Sequence, residues 1–143
     1  MKGKTVIELI ASVLILLFMY AAVSQVVFHN TYYTQLNRSL INGLFAGIIT
    51  WLIPVVHILL AWLLWRPSTK LAGFICSLGV VSLYTIYLFI MLPLGSKAAC
   101  QCGELWQKAS LEINILFNLA VILLTAVGII LMGRLKTNSP RLT

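Results

Sequence analysis

Charged side chains are scarce in this chain of 143 residues, in which three are acidic and ten are basic. Soluble domains carry about 25% charged residues, because a water-facing surface needs them. Here the charged fraction is 9% and the hydrophobic fraction is 61%, which excludes an ordinary soluble globular protein and a disordered chain. Three cysteines are too few for a disulfide-dense secreted module. The composition therefore predicts a single membrane domain, residues 1–143.

Motifs of several soluble protein classes are also missing. The sequence has no phosphate-binding glycine loop, no Ser/His/Asp residues in triad order and no CxxCH haem signature, so it does not support a kinase or a hydrolase. The net charge of +7 comes without a stripe of Lys and Arg interleaved with aromatic residues, and no nucleic-acid partner is expected. Most basic residues instead stand at the ends of apolar runs, as in membrane proteins.

Four apolar runs are long enough to cross a bilayer, since about 20 helical residues span its hydrocarbon core. The runs are residues 6–28, 44–65, 71–92 and 113–132. They predict an all-α, integral membrane four-helix bundle with an up-down-up-down path. The longer connections are 29–43 and 93–112; the first is amphipathic and is expected to lie along the membrane interface. The polar tail from Arg134 is expected to be frayed.

The basic residues also predict the orientation of the bundle. Seven lie at the amino terminus, in the turn 66–70 and in the tail, against three in the two longer connections. The positive-inside rule then puts both termini in the cytoplasm and both longer connections outside. In a bacterium this describes a multi-pass protein of the inner membrane, with segment 93–112 facing the periplasm, where disulfides can form.

The outward segment contains two of the three cysteines, in Cys100-Gln101-Cys102-Gly103. A disulfide across one intervening residue closes a small ring, and strain makes such a bond easier to reduce. Thiol–disulfide exchange is the favoured interpretation, with Cys100 and Cys102 as the catalytic pair. A structural pair and a metal site are the alternatives, and no metal ligand is assigned because neither a second pair nor an adjacent histidine is present. Cys76, inside the third span, is expected to be a packing residue.

His57 lies in the middle of the second span, three residues after Pro54. An ionisable group at membrane depth indicates function, and here it suits a hydrogen bond to a quinone oxygen or the transfer of a proton. The alternative is a neutral histidine bonded to Asn114, Asn118 or a tyrosine within the bundle. Together with Tyr84 on the third span, His57 and Asn118 are the candidate quinone-binding residues.

Other polar and small residues on the spans have simpler explanations. Polar residues recur at helical spacing on two spans: Ser77, Tyr84 and Tyr87 on the third, and Asn114, Asn118 and Thr125 on the fourth. Interhelical hydrogen bonds are favoured for these stripes, with a polar cavity as the alternative. Gly43 and Gly47 match GxxxG, for which packing is favoured over dimerisation. Glu8 is expected to reach the interface by snorkelling, with a role in proton transfer as the alternative.

Several local sequences occur together in this chain. They are Phe18-Met19-Tyr20-Ala21-Ala22-Val23-Ser24, Trp51-Leu52-Ile53-Pro54, Cys100-Gln101-Cys102-Gly103 and Leu116-Phe117-Asn118-Leu119. With four spans and these sequences, the chain resembles the MauE/DoxX-like family of redox-associated membrane proteins, in the version common in Bacteroidetes-type bacteria. The resemblance extends from about Leu9 to Gly128, and the Cys-x-Cys-Gly and Phe-Asn sequences are its most specific parts.

The resemblance implies an inner-membrane protein tied to periplasmic thiol chemistry. The name-giving member is implicated in maturation of the disulfide-rich small subunit of methylamine dehydrogenase. The chain departs from the family pattern at three places: His57 stands where a Glu is expected, Gln25 lies near an expected Lys, and Asn114 near an expected His. The plan is also similar to the quinone-linked bundles of DsbB and vitamin K epoxide reductase. Those proteins use CxxC pairs, which this chain lacks, so a complete relay needs another protein.

The favoured function is a redox-associated inner-membrane protein that handles periplasmic thiol–disulfide exchange, and a thiol–disulfide oxidoreductase is the enzyme class considered. Membrane lipid is one expected partner, and a thioredoxin-like periplasmic protein or a membrane complex is the other. Quinone is the candidate cofactor. The alternative is a non-enzymatic subunit that stabilises or assembles a larger envelope complex, and small-solute transport is a third class.

Overall fold

The computed structural model describes residues 2–38, 43–94 and 111–138, and within these ranges it contains helices and no strand. The elements are α1 Lys2–Val27, α2 His29–Arg38, α3 Gly43–Trp65, α4 Lys70–Met91, a single 3-10 turn Leu92–Leu94, and α5 Leu111–Asn138. Helices α1, α3, α4 and α5 are each long and apolar enough to cross a membrane. The all-α membrane architecture predicted from the sequence is confirmed.

The four long helices pack in the cyclic order α1, α3, α4, α5, so each is flanked by two others. Glu8 of α1 forms an ion pair with Lys70 of α4, and Gly3 of α1 lies against Leu135 of α5. The starts of α1 and α4 and the end of α5 therefore share one end of the bundle, as the up-down-up-down path requires. Glu8 therefore has a partner, Lys70, that the sequence did not predict, and snorkelling of Glu8 stays a prediction. The side of the membrane that this end faces stays a prediction.

A narrow apolar core runs along the axis of the bundle. Leu14, Leu64 and Phe74 are fully buried in it, and Leu88 is fully buried in a separate cluster with Ile115. The ring of Phe74 packs on Gly128 of α5, where an added Cβ would lie 2.7 Å from the ring Cε1, so only glycine allows this approach. Large apolar side chains cover the outside as well, among them Leu9, Leu16, Leu83 and Leu123. In a bilayer this outer surface contacts lipid tails.

Helix α2 takes a different course from the interfacial one expected. Three pairs of residues meet between α2 and α3: His29 with Trp51, Tyr33 with Gly47, and Asn37 with Gly43. Because the numbers rise along α2 as they fall along α3, the two helices run antiparallel side by side. The prediction of an interfacial helix is wrong on this point, because α2 buries Tyr32 and Leu36 against Ala46 of α3.

The same contacts explain the GxxxG match. Gly43 and Gly47 both lie against α2, and an added Cβ on Gly43 would lie 2.9 Å from Oδ1 of Asn37. The two glycines therefore allow close packing within the chain, which is the role the sequence favoured for them.

Helix α5 continues beyond the predicted span, to Asn138. Leu135 covers Gly3, and the hydroxyl of Thr137 donates a hydrogen bond to the carbonyl of Gly133 at 3.0 Å. The prediction of a frayed tail is therefore wrong for residues 134–138, because packing on α1 holds this stretch in the helix.

Candidate functional site

A cavity of about 410 Å³ lies among the four long helices. This volume falls within the range typical of small-molecule sites, which are mostly apolar with a few polar groups. The walls here follow that description: most lining side chains are apolar, and the polar ones are Tyr20, His57, Tyr84, Asn114 and Asn118. Every long helix contributes to the lining, so the cavity depends on the packing of the whole bundle.

The three residues that the sequence suggested as quinone ligands all line this cavity. His57 comes from α3, Tyr84 from α4 and Asn118 from α5. Sequence reasoning left Tyr20 out of this set, and it noted Asn114 only for its place on the polar stripe. The spacing of four between Asn114 and Asn118 was the signal for the latter, because residues four apart share one face of a helix.

Two hydroxyl groups of the polar stripes, those of Ser77 and Thr125, bond to their own helices and do not line the cavity. Ser77 Oγ donates to the carbonyl of Gly73 at 2.7 Å, and Thr125 Oγ1 donates to that of Val121 at 2.7 Å. The prediction that these two hydroxyl groups form interhelical hydrogen bonds is therefore wrong. A helical Ser or Thr easily reaches the carbonyl four residues back, so no neighbouring helix is needed to satisfy it.

His57 is oriented by its own helix. Its Nδ1 lies 2.9 Å from the carbonyl oxygen of Ile53, and because a carbonyl only accepts, Nδ1 is the donor. In the neutral ring this leaves Nε2 as an acceptor. The ring also packs near Phe18 of α1, with centroids 5.7 Å apart. The bond to an asparagine or a tyrosine that the sequence allowed is not the one made by Nδ1.

Three buried amide side chains are not satisfied within the described part of the chain. Asn114 and Asn118 are 4% and 8% exposed, and among the described residues neither Nδ2 has a hydrogen-bond partner. Gln25 of α1 is 2% exposed, and both of its amide atoms lack a partner within the same residues. Leaving such a group unpaired costs about 1–3 kcal/mol, so these amides indicate a place for an additional polar partner.

The cysteines are divided between the described and the undescribed parts of the chain. Cys100 and Cys102 lie in segment 95–110, outside the described residues. That segment joins α4 to α5, and Asn114 lies three residues after the start of α5, or about 4.5 Å along its axis. The cavity therefore begins within one helical turn of the point where the chain re-enters the bundle. Cys76 is exposed on the outside of α4, so the packing role expected for it is wrong.

The described ranges contain no cluster of three or more His, Cys, Asp or Glu side chains that could hold a metal ion. The polar groups of the cavity are instead neutral hydrogen-bonding groups: two asparagine amides, two tyrosine hydroxyls and one imidazole. Such a set can orient an uncharged ligand that carries oxygen atoms.

Comparison with known proteins identifies the family. The family model of the methylamine utilisation protein MauE matches residues 3–131, a range that includes all of α3 and α4, nearly all of α1, most of α5 and every lining residue of the cavity. No curated protein and no solved structure matches the chain. The narrower likeness to DoxX-like and Bacteroidetes versions stays a prediction. With four helices able to cross a bilayer and a match over most of its length, the chain is a multi-pass membrane protein that belongs to the MauE family.

Proposed function

We propose that the bundle binds a quinone in its cavity and moves electrons between that quinone and the Cys100–Cys102 pair, on the periplasmic side of a bacterial inner membrane. The observation that supports this most is the convergence of His57, Tyr84 and Asn118 on one apolar cavity. A quinone ring has apolar faces that fit such walls. Its carbonyl oxygens are acceptors for the unpaired amide nitrogens of Asn114 and Asn118.

The polar groups suit both redox forms of the ligand. A quinone carbonyl accepts from an asparagine N–H, whereas a quinol hydroxyl needs an acceptor. The Nε2 atom of neutral His57 is an acceptor, because Nδ1 donates to Ile53. The hydroxyl of Tyr84 can act in either way. A site with both kinds of group can hold the ring before and after reduction.

The proposed step balances in both directions. Forward, the Cys100 and Cys102 thiols lose two protons and two electrons, a disulfide bond forms, and the quinone takes up both to become quinol. In reverse, quinol reduces the disulfide and returns to quinone. The sequence has no CxxC pair, so a thioredoxin-like periplasmic partner would supply or accept the dithiol by exchange at Cys100–Cys102.

A stoichiometric assay tests the proposal. Reduced protein in lipid nanodiscs is mixed with a short-chain quinone, quinol is followed by absorbance, and thiols are counted with a mass-tagged maleimide. We expect one quinol for each disulfide formed. Cys100→Ser should abolish the reaction, and Cys76→Ser is the matched control, because Cys76 lies on the outer surface. If the unaltered protein does not reduce the quinone, the proposed electron transfer between the cysteine pair and the quinone is wrong.

A second proposal follows from the family description, which concerns methylamine utilisation. A non-enzymatic subunit that stabilises or assembles a larger envelope complex would fit that description without any redox step. Thiol trapping at graded potentials separates the two. A reversible couple more oxidising than about −250 mV supports exchange. A pair that never oxidises, or that stays oxidised below about −300 mV, supports the assembly subunit.

A further inference from the structure

The seam between α1 and α5 can be followed from one end of the bundle to the cavity. Gly3 lies against Leu135, which fixes the line of α1 that faces α5 and the line of α5 that faces α1. Eighteen residues make about five full helical turns. Ala21 therefore lies on the same line of α1 as Gly3, and Phe117 lies on the same line of α5 as Leu135. At the level of the cavity, Ala21 and Phe117 border this seam, and both line the cavity.

The wall of the cavity is thin at this place. Tyr20, next to Ala21, lines the cavity, is 42% exposed, and lies on the same face of α1 as the exposed residues Leu16 and Val23. A side chain that meets both the interior and the lipid-facing surface marks a wall one residue thick. The packing of α1 on α5 is also the least extensive of the four contacts between neighbouring long helices. The small side chain of Ala21 adds space at the same point.

We propose that this seam is a lateral portal through which a long-tailed quinone enters the cavity from the bilayer. The ring occupies the cavity, and the isoprenoid tail leaves between Ala21 and Phe117, past Tyr20, to lie among lipid tails. A cavity of about 410 Å³ is at the small end of ligand sites, with room for a ring and not for a long tail as well. The inference rests on the proposed function and names its substrate class as a lipid-soluble quinone with a tail.

Blocking the seam tests the portal. Ala21→Trp places a large ring in the gap, and Leu83→Trp is the matched control, because Leu83 is 70% exposed and adjacent to the cavity residue Tyr84. Binding of a long-tailed quinone and of a tail-less benzoquinone is measured in nanodiscs. Because Ala21 also lines the cavity, Trp can weaken binding of both probes, and we expect Ala21→Trp to weaken binding of the long-tailed quinone at least tenfold more than that of the benzoquinone. Equal weakening of the two probes would count against the portal. The control variant should bind both probes as the unaltered protein does.

The other results of these binding measurements separate failure of the portal from failure of quinone binding. If Ala21→Trp binds the long-tailed quinone within twofold of the unaltered protein, the portal is wrong while quinone binding stands. If the unaltered protein binds neither probe, the proposed function fails and the portal with it. Because Ala21→Trp can also disturb folding, the unaltered protein is labelled with a quinone that carries a photoreactive group on its first isoprenoid unit. Labels on Tyr20, Ala21 or Phe117 support the portal, and labels confined to α3 and the outer face of α4 overturn it.

Discussion

Lys70 and Glu8 form an ion pair across the diagonal of the bundle. Lys70 is the first residue of α4, and Glu8 lies in the second turn of α1, so the pair joins two helices on opposite sides of the cyclic order. Lys70 is 5% exposed, whereas the Glu8 side chain is 65% exposed. A cation at the start of a helix is unfavourable for the helix dipole. The carboxylate of Glu8 is therefore the counter-charge that stabilises Lys70 in its buried position.

Removing this counter-charge should destabilise the bundle. Glu8→Gln leaves a buried ammonium without its partner, and we expect a loss of about 1–3 kcal/mol, less than for a fully buried pair because Glu8 is solvated. Adding Lys70→Met should restore most of that loss, since the buried charge is then gone. Thermal unfolding in detergent of the single and double variants measures both effects. A double variant no more stable than Glu8→Gln would contradict this account.

Two glycines of α5 should respond in opposite ways to alanine. In Gly128→Ala the new Cβ would lie 2.7 Å from the buried ring of Phe74, and overpacking of this kind costs about 1–3 kcal/mol. Gly133 has no atom within 4 Å of an added Cβ among the described residues, so Gly133→Ala should stabilise by up to about 1 kcal/mol through helix propensity. Unfolding midpoints of both variants test the contrast, and equal shifts would count against the packing of Phe74 on α5.

Substitution of a cavity amide should separate stability from ligand binding. Asn114→Leu removes a buried nitrogen that has no partner in the described part of the chain, so the empty protein should gain about 1–2 kcal/mol. The same variant should lose the rise in melting temperature that a saturating short-chain quinone gives the unaltered protein. Thermal scans with and without quinone measure both quantities. A variant that is less stable when empty would show that Asn114 has a structural role.

The hydroxyl of Thr125 should contribute little to the free energy of unfolding. It is bonded to its own helix at Val121, and Thr125→Val keeps the shape of the side chain. Because the carbonyl of Val121 retains its backbone hydrogen bond, we expect a change below about 1 kcal/mol. A loss well above that, measured by thermal unfolding, would indicate a bond to another helix.

The four spans were predictable because hydrocarbon requires backbone polar groups to be satisfied within each helix, which needs long apolar runs. The course of α2 was not predictable from the same information. An amphipathic pattern shows that Tyr32 and Leu36 need cover, but it does not say whether lipid or Ala46 supplies it. The burial of Lys70 depends on Glu8, which lies 62 residues earlier, and no local pattern reports such a distance.

Three of the five polar residues that line the cavity were singled out by the sequence, but the geometry that brings them together was not predictable. Helical spacing put Tyr84 and Asn118 on polar stripes, and depth in the span singled out His57. Whether three side chains on three helices meet depends on the rotation and register of each helix, which follow from close packing such as that of Phe74 on Gly128. Gln25 attracted notice only through the family resemblance, since one amide in an apolar run carries little weight alone.

Pro54 gives α3 a mechanical property of its own. Proline has no N–H, so the carbonyl of Thr50 lacks its usual helical bond and the helix is easier to bend there. The hydrogen bond from His57 Nδ1 to the carbonyl of Ile53 connects the residues on either side of Pro54 and limits bending at this point. The ring is thus fixed to backbone on both sides of the proline. When α3 flexes, His57 moves together with the cavity wall, and the Nε2 atom keeps its direction relative to that wall.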